Sequence, residues 1–130
     1  MLLVGADAAL LEGIAQALAS AGHHVLTASS LAEAGFVAAA SPPLLAVIDR
    51  ALLVNADARG IGLAPGGALV VFGDPQTTLP APVRRQVLAE LRLPLERGRL
   101  SALAVHLEAR ARRAGRGAPV LTPPDSRPAT

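Results

Sequence analysis

Apolar positions along this chain fall into two alternating patterns: short unbroken runs, and longer stretches with a period near 3.6. The runs are residues 1–4, 44–48 and 68–72, and residues 25–28 make a further strand candidate that includes Thr27. A run of that length with no polar interruption fits a strand buried on both faces, as in a parallel sheet. Residues 8–21 place Leu10, Ile14, Leu18 and Ala21 on one stripe, with Asp7 as N-cap and Gly22 as stop, and predict an amphipathic helix. Ser30 caps a second helix over 31–40, which Pro42-Pro43 breaks before the third strand. The last helix, over 97–113, carries Leu100, Leu103 and Leu107 as its buried stripe.

The remaining segments carry weaker patterns. Residues 51–63 have room for a short helix before a Gly-rich stretch, and Pro65-Gly66-Gly67 marks a turn. Residues 80–88 should include a short helix, and 90–93 a short edge strand. Five strands alternating with five helices predict an α/β, doubly wound parallel sheet over residues 1–113. Residues 114–130, rich in Pro, Gly, Ser and Thr, read as a disordered tail or linker.

Composition narrows the function classes. The chain has 130 residues, 52% of them hydrophobic, yet Phe36 and Phe72 are its only aromatic residues. Its core is therefore Leu, Val, Ile and Ala. There is no Cys, which removes disulfides and thiolate metal sites. The amino terminus has no basic stretch ahead of its apolar residues, and the apolar uncharged run 34–48 is interrupted by two prolines. Neither a signal peptide nor a transmembrane helix is expected, and the expected compartment is the cytoplasm.

Charge is polarised along the chain. All twelve basic residues are Arg, against ten acids, for a net charge of +2. The isoelectric point near 11.0 overstates that small excess, because no Lys or Tyr titrates near pH 10. Residues 1–83 carry two Arg against six acids, net −4, and residues 84–130 carry ten Arg against four acids, net +6. With no recognition helix and no stacking aromatic, nucleic acid is not the expected partner of the basic end.

The principal chemical candidate is Asp49, which ends the third strand. Ligands of open parallel sheets collect beyond the carboxyl ends of the strands. Asp7 and Asp74 should lie near the same edge of the sheet. Helix cap and turn start are their plain roles; a three-carboxylate cluster with Asp49, able to hold Mg²⁺, is the alternative. His23 and His24 read as a solvated loop pair, and His106 has no evident partner. The glycines at 60, 62, 66 and 67 lack the Lys-Ser/Thr of a phosphate loop.

Two family resemblances follow from these residues. LLVGADAALLEGIAQALASAGHHV resembles the opening of the NAD(P)-binding short-chain dehydrogenases. However, Leu10, Leu11 and Glu12 stand where further glycines are needed, and the chain has no Tyr or Lys for that family's chemistry. The stronger resemblance is to the receiver domains of two-component response regulators. MLLVGAD looks like their first strand and its acidic end, PLLAVID like the strand ending in the phospho-accepting aspartate, ALVVFGD like the fourth strand, and LRLPLERGRLSALAVHL like the closing segment, with Pro94 at the family's proline.

This resemblance implies a flavodoxin-like sheet of order 2-1-3-4-5 with helices on both faces. It puts the phospho-acceptor role on Asp49. It also puts the family's acidic pair on Gly5 and Ala6, its Ser/Thr on Gly73 and its Lys on Leu93, none of which can supply the chemistry. The expectation is therefore a degenerate, bacterial receiver that is not an enzyme, holds no cofactor or metal, and works by binding a protein partner. In receivers the face around the fourth helix, fifth strand and fifth helix commonly pairs with itself or a partner, and here it carries Arg84, Arg85, Arg92, Arg97 and Arg99. A homodimer through that face is expected. Two alternatives stay open: a phosphorylatable receiver using Asp49 with an altered Mg²⁺ site, and a small nucleotide- or ligand-binding domain of flavodoxin-like or Rossmann-like kind.

Overall fold

A computed structural model describes residues 1–54, 61–74, 76, 78–93 and 96–117. The strands are β1 (Leu2–Val4), β2 (Leu26–Ala28), β3 (Leu45–Asp49), β4 (Ala68–Phe72) and β5 (Val87–Leu91). The α-helices are α1 (Ala8–Ser20), α2 (Leu31–Ala40), α3 (Ala81–Arg84) and α4 (Arg97–Gly117), with a 3-10 turn at Arg50–Leu53. The strands form one parallel sheet of order β2-β1-β3-β4-β5. This is the doubly wound, flavodoxin-like order.

Two apolar clusters sandwich the sheet. Leu2, Val4, Ala46, Ile48, Leu69 and Val71 point to the α2 and α3 side, where Ala34, Ala38, Leu53 and Val83 cover them. Leu3, Leu45, Val47, Val70, Phe72 and Leu91 point to the α1 and α4 side, under Leu11, Ile14, Leu18, Leu100 and Leu107. The alternation of consecutive residues between faces explains why β1, β3 and β4 read as unbroken apolar runs. Burying each of the Leu, Ile, Val and Phe side chains among these contributes roughly 1.5–3 kcal/mol.

The helix ends follow local chemistry. The Asp7 carboxylate accepts from the Leu10 amide at 3.1 Å, and the Ser30 hydroxyl accepts from the Glu33 amide at 3.1 Å, each satisfying one orphan N–H. Gly22, at φ 95°, closes α1. Its amide reaches the Ala19 carbonyl, and the His23 amide reaches that of Leu18, a Schellman arrangement that needs the left-handed region a glycine enters freely.

Several expectations require correction. The α1 stripe is Leu11, Ile14 and Leu18, while Leu10 is half-buried and Ala21 exposed. On α4, Ala104 is buried with Leu100 and Leu107, and Leu103 packs at the margin. The last strand begins at Val87 and ends at Leu91. Its register against β4 shifts between Leu69 and Val70, so an irregular edge strand hides its start. The described residues hold four α-helices, not five: the chain after β3 turns once as a 3-10 segment, and residues 55–60 lie outside the described set. α4 runs on to Gly117, past the expected tail boundary at 114. Residues 118–130 also lie outside the described set.

Candidate functional site

Asp49 ends β3 beside β1, where the strand order reverses and where such sheets place their ligands. It is half-buried, and its Oδ1 accepts from the Ala51 amide at 3.0 Å, capping the 3-10 turn. Its surroundings are apolar on the α1 side. Gly5 follows β1, and a Cβ built on it meets Leu11 Cδ2 and Phe72 Cζ at 3.5 Å and Asp49 Cβ at 3.6 Å. Phe72, only 3% exposed, pairs in register with Asp49. Leu11, this ring and Asp49 Cβ therefore surround the position beside Gly5 at ordinary contact distance.

Gly73 closes the site from β4. Its φ is 118°, and a Cβ placed on it lies 2.8 Å from Asp49 Oδ1. The carboxylate thus packs directly against backbone. No L side chain fits there without a shift, and the strain of a positive φ adds to the contact. Leu93 is half-buried at the margin of the α1–α4 cluster, and Pro94 lies outside the described residues.

The other acids are engaged locally. Asp7 caps α1, and Asp74 Oδ1 accepts from the Gln76 amide at 2.9 Å, an Asx turn. Among the described residues no group of three or more His, Cys, Asp or Glu could hold a metal ion.

Arg50 carries no role in the sequence reasoning, yet it is the one buried charged residue among those described. Its guanidinium pairs with Glu90 of β5, crossing β4 on the α2–α3 side of the sheet. The signal was its place directly after a doubly buried strand, where a long side chain has to run along the core. Glu33 was also missed, although Ser30 followed by Glu33 has capping-box spacing. Its Oε1 accepts from the Ser29 amide at 2.6 Å and from the Ser29 hydroxyl at 2.9 Å. The Ser29 amide first, then its hydroxyl, lowers the Glu33 pKa from the ordinary 4.5.

The predicted Arg residues flank β5 from both ends. Arg84 ends α3 and Arg85 follows it, ahead of the strand; Arg92, Arg97 and Arg99 follow the strand, and all five are exposed. A five-residue strand separates the two groups by roughly 16 Å. Arg99 pairs with Glu96 at 2.8 Å. His23 is not solvated: it is half-buried, with Nε2 2.8 Å from Ser101 Oγ on α4, because the α1 turn delivers the chain against that helix. His24 and His106 are exposed. At the opposite edge of the sheet, α1, β2 and the start of α2 frame an open groove of about 600 Å³ whose lining includes Glu12, Gln16, Thr27 and Glu33.

No protein-family model matches the chain, and no curated protein matches it in sequence. Solved structures do match. The receiver domain of NtrX from Brucella abortus aligns over 82% of this chain and 95% of its own, with TM-score 0.61 and 21% identity. A CheY-like response regulator receiver domain protein from Methanospirillum hungatei JF-1 covers 83% and 95%, with TM-score 0.62 and 13% identity. The chain has the receiver fold. An adenylate cyclase structure from Rhodopirellula baltica aligns with it as well, over 88% of this chain and 93% of that one, with TM-score 0.65 and 21% identity. Among the described residues, no helix of the receiver-fold chain is long and apolar enough to cross a membrane.

Proposed function

We propose that this chain is a degenerate receiver, a cytoplasmic, non-enzymatic signalling module that works by binding another protein and is not switched by phosphorylation. The observation that carries the reading is the crowding of Asp49. Its carboxylate lies against Gly73, and its Cβ faces Gly5, which brings no side-chain oxygen and has Leu11 and Phe72 beside it. Phosphoryl transfer to a carboxylate needs a divalent cation and donors to neutralise charge on the transferring oxygens. The residues present do not fit such a cation: Gly5 and Ala6 bring no side-chain oxygen, and the described residues assemble no set of three ligating side chains.

What remains available for signalling is surface. The Arg-flanked edge around α3, β5 and the start of α4 is the preferred contact face, for a protein partner or for a second copy. A phosphorylatable receiver is the second reading, favoured by the place Asp49 keeps at the switch point of the sheet. Incubation with acetyl phosphate and Mg²⁺, followed by intact-mass measurement, separates the two. The expected outcome is an unchanged mass. A single added phosphoryl group, lost in Asp49→Asn, would overturn the proposal.

A further inference from the structure

The charge polarity seen in the sequence becomes spatial in the fold. Residues 1–49 contain no Lys or Arg at all, and they build β1, β2, β3, α1 and α2. The edge at β2 therefore carries acids and no basic side chain from its own elements. Glu12 of α1 and Glu33 of α2 both line the groove beside it. The opposite edge, at β5, is basic. Its acids are already taken, Glu90 by Arg50 and Glu96 by Arg99, while Arg84, Arg92 and Arg97 close no ion pair among the described residues.

The β5 edge also carries an exposed apolar side chain, Leu88, which is 56% exposed. The two edges correspond when read in the same strand direction. Toward the carboxyl ends of the strands, β2 is flanked by Glu12 and Glu33, and β5 by Arg92 and Arg97. Leu88 lies lower on the β5 edge, near the start of the strand. Both β2 and β5 are edge strands of a parallel sheet, with backbone groups directed outward.

We propose that the β2 edge docks the β5 edge of a second copy, so that chains associate head to tail with their strands parallel and their sheets in continuation. The partner is the chain itself because the complementary charges sit on opposite edges of one molecule. A contact between two different faces is not used up in a dimer, so it continues into a ring or an open series. This inference rests on the reading that the β5 edge is the contact face, and it adds the surface that face meets.

The test uses two surface variants, Glu12→Gln with Glu33→Gln on the acidic edge, and Leu88→Gln with Arg92→Gln on the basic edge. All four side chains are exposed, and circular dichroism checks that both variants fold. In sedimentation velocity at low salt, the wild type should rise beyond dimer mass with concentration. It should lose that association near 1 M salt, where the screening length falls to about 3 Å. Each variant alone should stay monomeric. Their equimolar mixture, which restores one intact contact, should form a dimer and stop there. Self-association of the acidic-edge variant as strong as wild type overturns the head-to-tail contact but leaves the β5 edge as a contact face. Association unaffected in both variants removes the β5 edge as well. A wild type that stays monomeric at every concentration, or a mixture that stays monomeric, also overturns the proposal.

Discussion

Asp49 keeps its place while the residues around it change what a carboxylate there can do. Gly73 packs its backbone against Oδ1, and Leu11 and Phe72 lie beside Gly5. A hydroxyl returned at position 73 does not fit this arrangement, because φ is 118° and the first side-chain atom would meet Oδ1 at 2.8 Å. Gly73→Ser should therefore lower stability by about 1–3 kcal/mol, read by urea denaturation; unchanged or greater stability would contradict the crowded geometry. The candidate acid itself was legible, since one carboxylate ends an otherwise apolar run. The glycine conformation and the crossing of Arg50 to Glu90 were not, because both depend on β4 and β5 lying beside β3, which no local pattern encodes.

The elements were read best where burial is greatest. β3 and β4 are covered on both faces, so their unbroken apolar runs locate them within a residue. β5 is partly exposed, with Val87, Ala89 and Leu91 more buried than Leu88 and Glu90, and a register shift blurs its start. The reading at 90–93 was displaced for that reason. The helix starts rest on caps, and that of α2 has a titrating part. Its Ser29 hydrogen bonds hold the Glu33 pKa below the ordinary 4.5, so the folded state binds its proton more weakly than the unfolded chain. The stability this contributes is full above 4.5 and is lost as pH falls through the lowered folded value. Glu96 titrates in the same sense, chiefly through the Arg92 amide and then the Arg99 side chain. Glu33→Gln should therefore flatten the acid limb of the stability–pH curve relative to wild type. An acid limb of equal slope in both proteins would contradict this assignment.

At the scale of the molecule, the sheet order β2-β1-β3-β4-β5 follows from alternating elements together with the receiver resemblance, and the fold was legible for that reason. The arrangement of charge was legible only as a difference between two halves of the chain. The fold turns that difference into two opposed edges, because the first three strands occupy one side of the sheet and the last two the other. The central claim is that this receiver fold signals through its surface, with its aspartate out of use. Amide NMR titration with Mg²⁺ and then beryllofluoride, on wild type and on Asp49→Asn, tests it most directly. The account predicts no saturable shifts at Asp49, Asp7, Gly73 or Asp74 in either protein. Saturable shifts at those residues in the wild type that vanish in Asp49→Asn would contradict it and return Asp49 to service as a phospho-acceptor.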